Sequence, residues 1–148
     1  MTLTIANRQR TCKIKVRVLR EITTALLAEL AGPQASLEIN LVSPAQMAKV
    51  NQSFLQHEGP TDVITFDYRE VRPDAPLQGE LFICPAVAVD QARDFGTKWQ
   101  SELVRYVIHG VLHLLGYDDL EPIARRKMKQ VEGHWVRTIS RRFALSKL

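Results

Sequence analysis

The sequence predicts an α+β fold in which a small mixed β-sheet of about four strands packs against helices, with a metal-binding helix in the C-terminal half. Two features of the pattern and one of the composition lead there. Short apolar runs with strand character fall before residue 85, and helical periodicity dominates after it. At 148 residues and 45% hydrophobic, the chain is long enough for one proper core and too short for two ordinary domains. Residues 1–148 are therefore expected to form a single domain.

The opening TLTIANR alternates apolar and polar positions and reads as a strand. From Ile14 to Leu30 the apolar residues recur at helical spacing, and Gly32-Pro33 ends that helix. SLEINLV places Leu37, Ile39 and Leu41 on one face, as a half-buried strand does. Ser43 is placed as an N-cap with Pro44 as the first helical residue of a segment running to about Phe54. DVITFDY and GELFIC are rich in β-branched, aromatic and other apolar residues and make the third and fourth strands. Three helices follow, from Pro85 to about Phe95, from about Lys98 to Leu115, and from about Pro122 to Arg142. Gly96 and Gly116 stand at the breaks, where glycines that end helices belong.

No basic segment followed by an apolar stretch opens the chain, and nowhere do about 18 apolar residues run together. A cytoplasmic protein without a membrane span is expected. Cys12 and Cys84 lack the paired spacing of a disulfide framework or a cysteine zinc site, so both are expected as reduced, buried thiols. Charge is distributed unevenly. Residues 1–20 carry six Lys/Arg and no acid, and residues 121–148 carry eight Lys/Arg against Glu121 and Glu132, which leaves the centre acidic. Basic ends around an acidic middle suit a phosphate-rich partner gripped at the edge, with carboxylates free for metal work, although a solvated charged face accounts for much of the same pattern.

The chemistry concentrates in VIHGVLHLLGYDD. His109 and His113 are four apart, so on a helix they stand on one face a turn from each other, within reach of one ion. An i, i+4 histidine pair alone is weak evidence. Here its helix is apolar nearly all round, with Val107, Ile108, Val111, Leu112, Leu114 and Leu115, and imidazoles in such surroundings need polar partners. Gly116 lets the chain leave the helix at positive φ and turn Tyr117, Asp118 and Asp119 back toward the histidines. Two histidines and a carboxylate leave a position open, which is the design of a catalytic rather than a structural metal site. A His-x-x-x-His helix resembles the zincin peptidases, yet Gly110 stands where their general-base glutamate would be, which argues against proteolysis.

The closer likeness is to the YbeY family. Its signature H-G-x-L-H-L-x-G-Y-D-H is matched by His109, Gly110, Leu112, His113, Leu114, Gly116, Tyr117 and Asp118. Asn51, Phe54 and the run Pro60 to Phe66 resemble its N-x-x-[FY]-R…P-T-D-V-L-S-F block, and Gly79 to Ile83 resembles its G-[DE]-I-x-I strand. The resemblance implies a zinc-dependent, single-strand-specific endoribonuclease, active in rRNA maturation and ribosome quality control, with RNA or ribosomal particles as partners. It carries the first two metal ligands onto His109 and His113. Thr61 and Asp62, which belong to the family motif, are candidates for lining the cleft, although Thr-Asp is equally good turn chemistry.

Two departures stand out. The third family ligand is histidine, and here that position is Asp119, an oxygen ligand that keeps a three-ligand site. The competing role for Asp119 or Asp118 is an N-cap of the last helix. Zinc, one ion per chain, is the expected metal. Fe(II) is the alternative, because two histidines and one carboxylate also compose non-haem iron sites. The arginine of the second family block falls on Leu55, which cannot contact a phosphate; Lys49, His57 and Arg69 are the cations nearby in sequence. On the basic last helix Arg125, Arg126 and Lys129 are candidate RNA-backbone contacts. The rival reading is a ribosome-associated RNA-binding protein with a structural metal and little nuclease activity.

Overall fold

The computed structural model describes residues 1–55, 62–69 and 74–148, without the side chains of Phe54 and Leu55. Four strands, β1 (Thr2–Asn7), β2 (Ser36–Leu41), β3 (Val63–Asp67) and β4 (Gln78–Ile83), form one sheet in the order β1-β2-β4-β3. β1, β2 and β4 run parallel, and β3 pairs antiparallel with β4, so the sheet is mixed as expected. A parallel pair needs a long crossover, and α1 (Val16–Leu30) provides it between β1 and β2. The remaining helices are α2 (Pro44–Val50), α3 (Pro85–Phe95), α4 (Trp99–Leu114) and α5 (Pro122–Arg142), with a closing 3-10 turn at Leu145–Lys147. Among the described residues no helix is long and apolar enough to cross a membrane.

Local chemistry sets the boundaries. Ser43 caps α2 by accepting a hydrogen bond from Gln46 N at 3.2 Å, with Pro44 in the first turn. The helix expected to run to about Phe54 instead stops at Val50 and widens into a π-helical turn over Asn51–Leu55, which carries Asn51 inward. Both cysteines are free and buried, and burial pushes both thiols above their ordinary pKa.

The period-two pattern of the strands becomes two faces. Leu37, Ile39, Leu41, Leu81 and Ile83 join one core with Leu19, Ile22 and Leu26 of α1 and Ile108, Val111 and Leu112 of α4. Ile64, with Phe66 and Phe82 packed beside it, meets Met47 of α2 in a second cluster. The site depends on how closely α4 lies on the sheet. A Cβ on Gly110 would stand 2.7 Å from Leu81 Cδ2, and one on Gly79 would stand 2.7 Å from Leu114 Cδ1 and 2.8 Å from the Phe66 carbonyl oxygen. Gly110 therefore faces the core, so a glutamate there would be driven into the sheet. Arg69 ties down the far end of the helix by donating to the Leu114 carbonyl while pairing with Asp67 at 2.7 Å.

Candidate metal centre

One stripe of α4 escapes the apolar core. Arg105, His109 and His113 follow one another at four-residue spacing, each partly exposed, between neighbours that are buried. The helix then ends in a Schellman arrangement, with Gly116 N donating to the His113 carbonyl and Tyr117 N to the Leu112 carbonyl, both at 3.0 Å. Gly116 holds φ at +100°, a value that side-chain-bearing residues rarely adopt. This reversal returns Asp119 to the histidine face.

The three candidate ligand atoms form a small triangle. His109 Nε2 and His113 Nε2 lie 3.1 Å apart, and Asp119 Oδ2 lies 3.7 Å from the first and 3.5 Å from the second. A tetrahedral zinc ion held at about 2.0–2.2 Å by each ligand sets neighbouring ligands roughly 3.3–3.6 Å apart, so the donor set fits that ion in both chemistry and spacing. The cluster also lies by the C-terminal end of α4, where the helix dipole favours a cation. Asp119 is thus placed with the histidines and does not cap α5, whose N-cap residue is Glu121. Asp118 does not cap it either; its Oδ1 accepts from Leu120 N at 2.9 Å and stiffens the turn.

Behind His109 stands a residue that the sequence did not single out. Glu132 of α5, only 9% exposed, places Oε1 2.7 Å from His109 Nδ1, and its Oε2 accepts from Arg105 Nη1 at 2.9 Å. With Nδ1–H donated to Glu132, the His109 lone pair is left on Nε2, facing His113 and Asp119. Burial opposes charge on His109, but the hydrogen bond and charge of Glu132, with the charges of Asp62 and Asp119, outweigh it and raise the imidazole pKa. Burial likewise opposes charge on Glu132, and the hydrogen bonds from His109 and Arg105 prevail, holding the carboxyl below its usual range.

The triangle opens on a cleft of about 560 Å³ to which α3, α4, α5 and Asp62 contribute. Of the expected site residues, His109, Asp119, Asp62, Arg125 and Lys129 line it. Arg125 also donates from Nε to the Asp119 carbonyl at 2.9 Å, steadying the turn. Arg126 is exposed on α5 but does not line the cleft, and Thr61 and His57 lie outside the described residues. Lys49 and Arg69 are likewise absent from the cleft wall.

Comparison with known proteins decides the family. The family model described as Endoribonuclease YbeY matches residues 4–140. The chain belongs to the YbeY endoribonuclease family. Among the YbeY relatives, one from Acidothermus cellulolyticus is 37% identical, over 86% of this chain and 85% of its own. Another, from Thermobifida fusca, is 36% identical over 86% and 87%. Both are named endoribonucleases. A Thermotoga maritima protein solved in solution superposes with a TM-score of 0.67 at 28% identity, covering 93% of this chain and 89% of that one. The YbeY family gives this chain a role in RNA processing as a hydrolase.

Proposed function

We propose that the chain is a zinc-dependent endoribonuclease that cuts single-stranded RNA during rRNA maturation and ribosome quality control. The observation that carries this reading is the His109, His113 and Asp119 triangle, with ligand spacing suited to zinc, opening on a cleft that holds cations for phosphate. A zinc ion bound there would supply Lewis acidity at the scissile phosphodiester. Glu132 keeps His109 in the tautomer that presents Nε2. Arg125 and Lys129 bind the strand, taking the place of an arginine at Leu55, whereas Arg105 is occupied by Glu132.

Charge makes the ion part of substrate binding as well. Four acids (Asp62, Glu102, Asp119, Glu132) and three cations (Arg105, Arg125, Lys129) line the cleft, a formal excess of one negative charge with neutral histidines. A divalent ion reverses that sign, so RNA affinity in the cleft should fall when metal is removed.

The test is cleavage of a single-stranded RNA and its duplex form with and without chelator. The proposal requires cleavage of the single strand that chelator stops and zinc restores. RNA binding with bound zinc and no cleavage would instead make the chain an RNA-binding protein with a structural metal. Replacing Arg125 and Lys129 together should weaken RNA binding and flatten its dependence on log salt by about 1.4, since each single-strand phosphate contact contributes about 0.7. An unchanged salt slope would return these side chains to the solvated surface.

A further inference from the structure

The cleft extends past the candidate ligands to a part where phosphate chemistry does not explain the side chains. Phe95, the last residue of α3, leaves its ring 70% exposed on the cleft wall, and Met128 of α5 lines the same cavity. Nearby groups are polar and incompletely used. Tyr106 donates to Gln91 Oε1 at 2.9 Å, and Gln91 Nε2 has no hydrogen bond among the described residues. Glu102 is only 7% exposed; its Oε1 accepts from Thr97 Oγ1 at 3.0 Å, and its Oε2 has no hydrogen bond among the described residues. Neither atom is sealed from solvent, and both residues line the cleft, so each can meet the polar edge of a bound ligand. Burial, with the charges of Asp62 and Glu102, pushes the Tyr106 pKa up, which keeps the phenol a donor.

We infer that this part of the cleft is a nucleobase subsite, in which one base of the RNA strand stacks on Phe95 and turns its hydrogen-bonding edge to Gln91 and Glu102. The inference rests on the reading that the cleft takes RNA. A base has a flat face for an aromatic ring and an edge with donors and acceptors, and unstacked single-stranded bases are held in this way. The location suits a base next to the cleaved bond. Glu102 and His109 are seven residues apart on α4, about 10 Å along the axis, while Arg125 and Lys129 line the same cleft to hold the connecting phosphates. A Glu102 carboxylate accepts hydrogen bonds, so the subsite favours a base edge that presents an N–H donor to it.

The experiment measures binding of a 2′-O-methyl RNA hexamer, verified intact after each measurement, to the zinc-loaded protein, using a series in which each nucleotide in turn is made abasic. One abasic position should weaken binding to the parent roughly 5- to 100-fold. Phe95→Ala should lose a similar factor on the intact hexamer and become indifferent to that abasic position, with zinc content unchanged. Phe95→Trp should restore affinity, and its added fluorescence should be quenched by the hexamer. Because the ring is exposed, neither variant should disturb folding, and a matching denaturation midpoint checks this. Parent-like affinity in Phe95→Ala, or continued sensitivity to the same abasic position, would overturn the subsite. Cleavage and binding by the parent without any abasic dependence would overturn the subsite alone. A parent that does not bind the hexamer would overturn both the subsite and the RNA reading.

Discussion

His109→Ala and His113→Ala should each abolish tight zinc binding and lower RNA cleavage by roughly a hundredfold to a thousandfold. Either change removes one of three protein ligands from a site that keeps a position open. The Lewis acidity lost is worth several kcal/mol of barrier, and each 1.36 kcal/mol is about tenfold in rate. Folding should survive, because both side chains are 27% exposed and stand on the stripe of α4 that escapes the core. Zinc content by elemental analysis, cleavage rate and denaturation midpoint, measured on the same preparations, check this outcome. Full zinc occupancy in both variants would remove the histidines from the site.

The second large effect belongs to Glu132, which acts on the ion only through His109. Its carboxylate fixes the imidazole orientation and tautomer, and losing such a partner costs about 10- to 100-fold in metal affinity. Glu132→Ala should fall at the upper end of that range. Glu132→Gln keeps an oxygen that can accept from Nδ1–H but loses the negative charge, so it should retain part of the affinity. Glu132→Ala also leaves Arg105 without its partner, and a stability loss of about 1–3 kcal/mol is expected for a buried hydrogen-bonded group. Zinc titration of the two variants separates the roles. A purely structural Glu132 would lower the denaturation midpoint and leave zinc affinity at the parent value in both.

What the sequence made legible was local. Alternation in TLTIANR and SLEINLV, the Ser43-Pro44 cap and the helix-ending Gly96 and Gly116 depend on neighbours within a few residues, and each reappears in the structure. The histidine pair and the turn that returns Asp119 are legible for the same reason, since helical periodicity and one positive φ bring them together. Strand order was not legible, because the parallel partnership of β2 and β4 depends on packing across distant segments. Glu132 escaped notice because it meets His109 across two helices, 23 residues away, in a stretch whose composition spoke only of positive charge. Its signal was its rarity, one of two acids in an otherwise basic segment. Arg105, at i−4 from His109, could have been found by extending the histidine stripe one turn toward the N-terminus. Phe95 read as an ordinary apolar helix residue, and only the exposed ring on the cleft wall distinguishes it.

The Gly110 position joins the two levels. The sequence excluded a peptidase base there, and the structure gives the packing reason, since the position presses on Leu81 beneath the helix. The candidate ligands and cleft cations lie instead on the opposite stripe of α4, in the turn that follows it and on α5.

The most direct test of this account is a zinc titration of the chelator-stripped protein, reading bound zinc and single-stranded RNA cleavage from the same samples. The account expects cleavage to be absent at the start, to rise in proportion to bound zinc and to level off at one ion per chain. Cleavage at full rate in the stripped protein, or a plateau of bound zinc at one ion per chain with no cleavage at all, would contradict it.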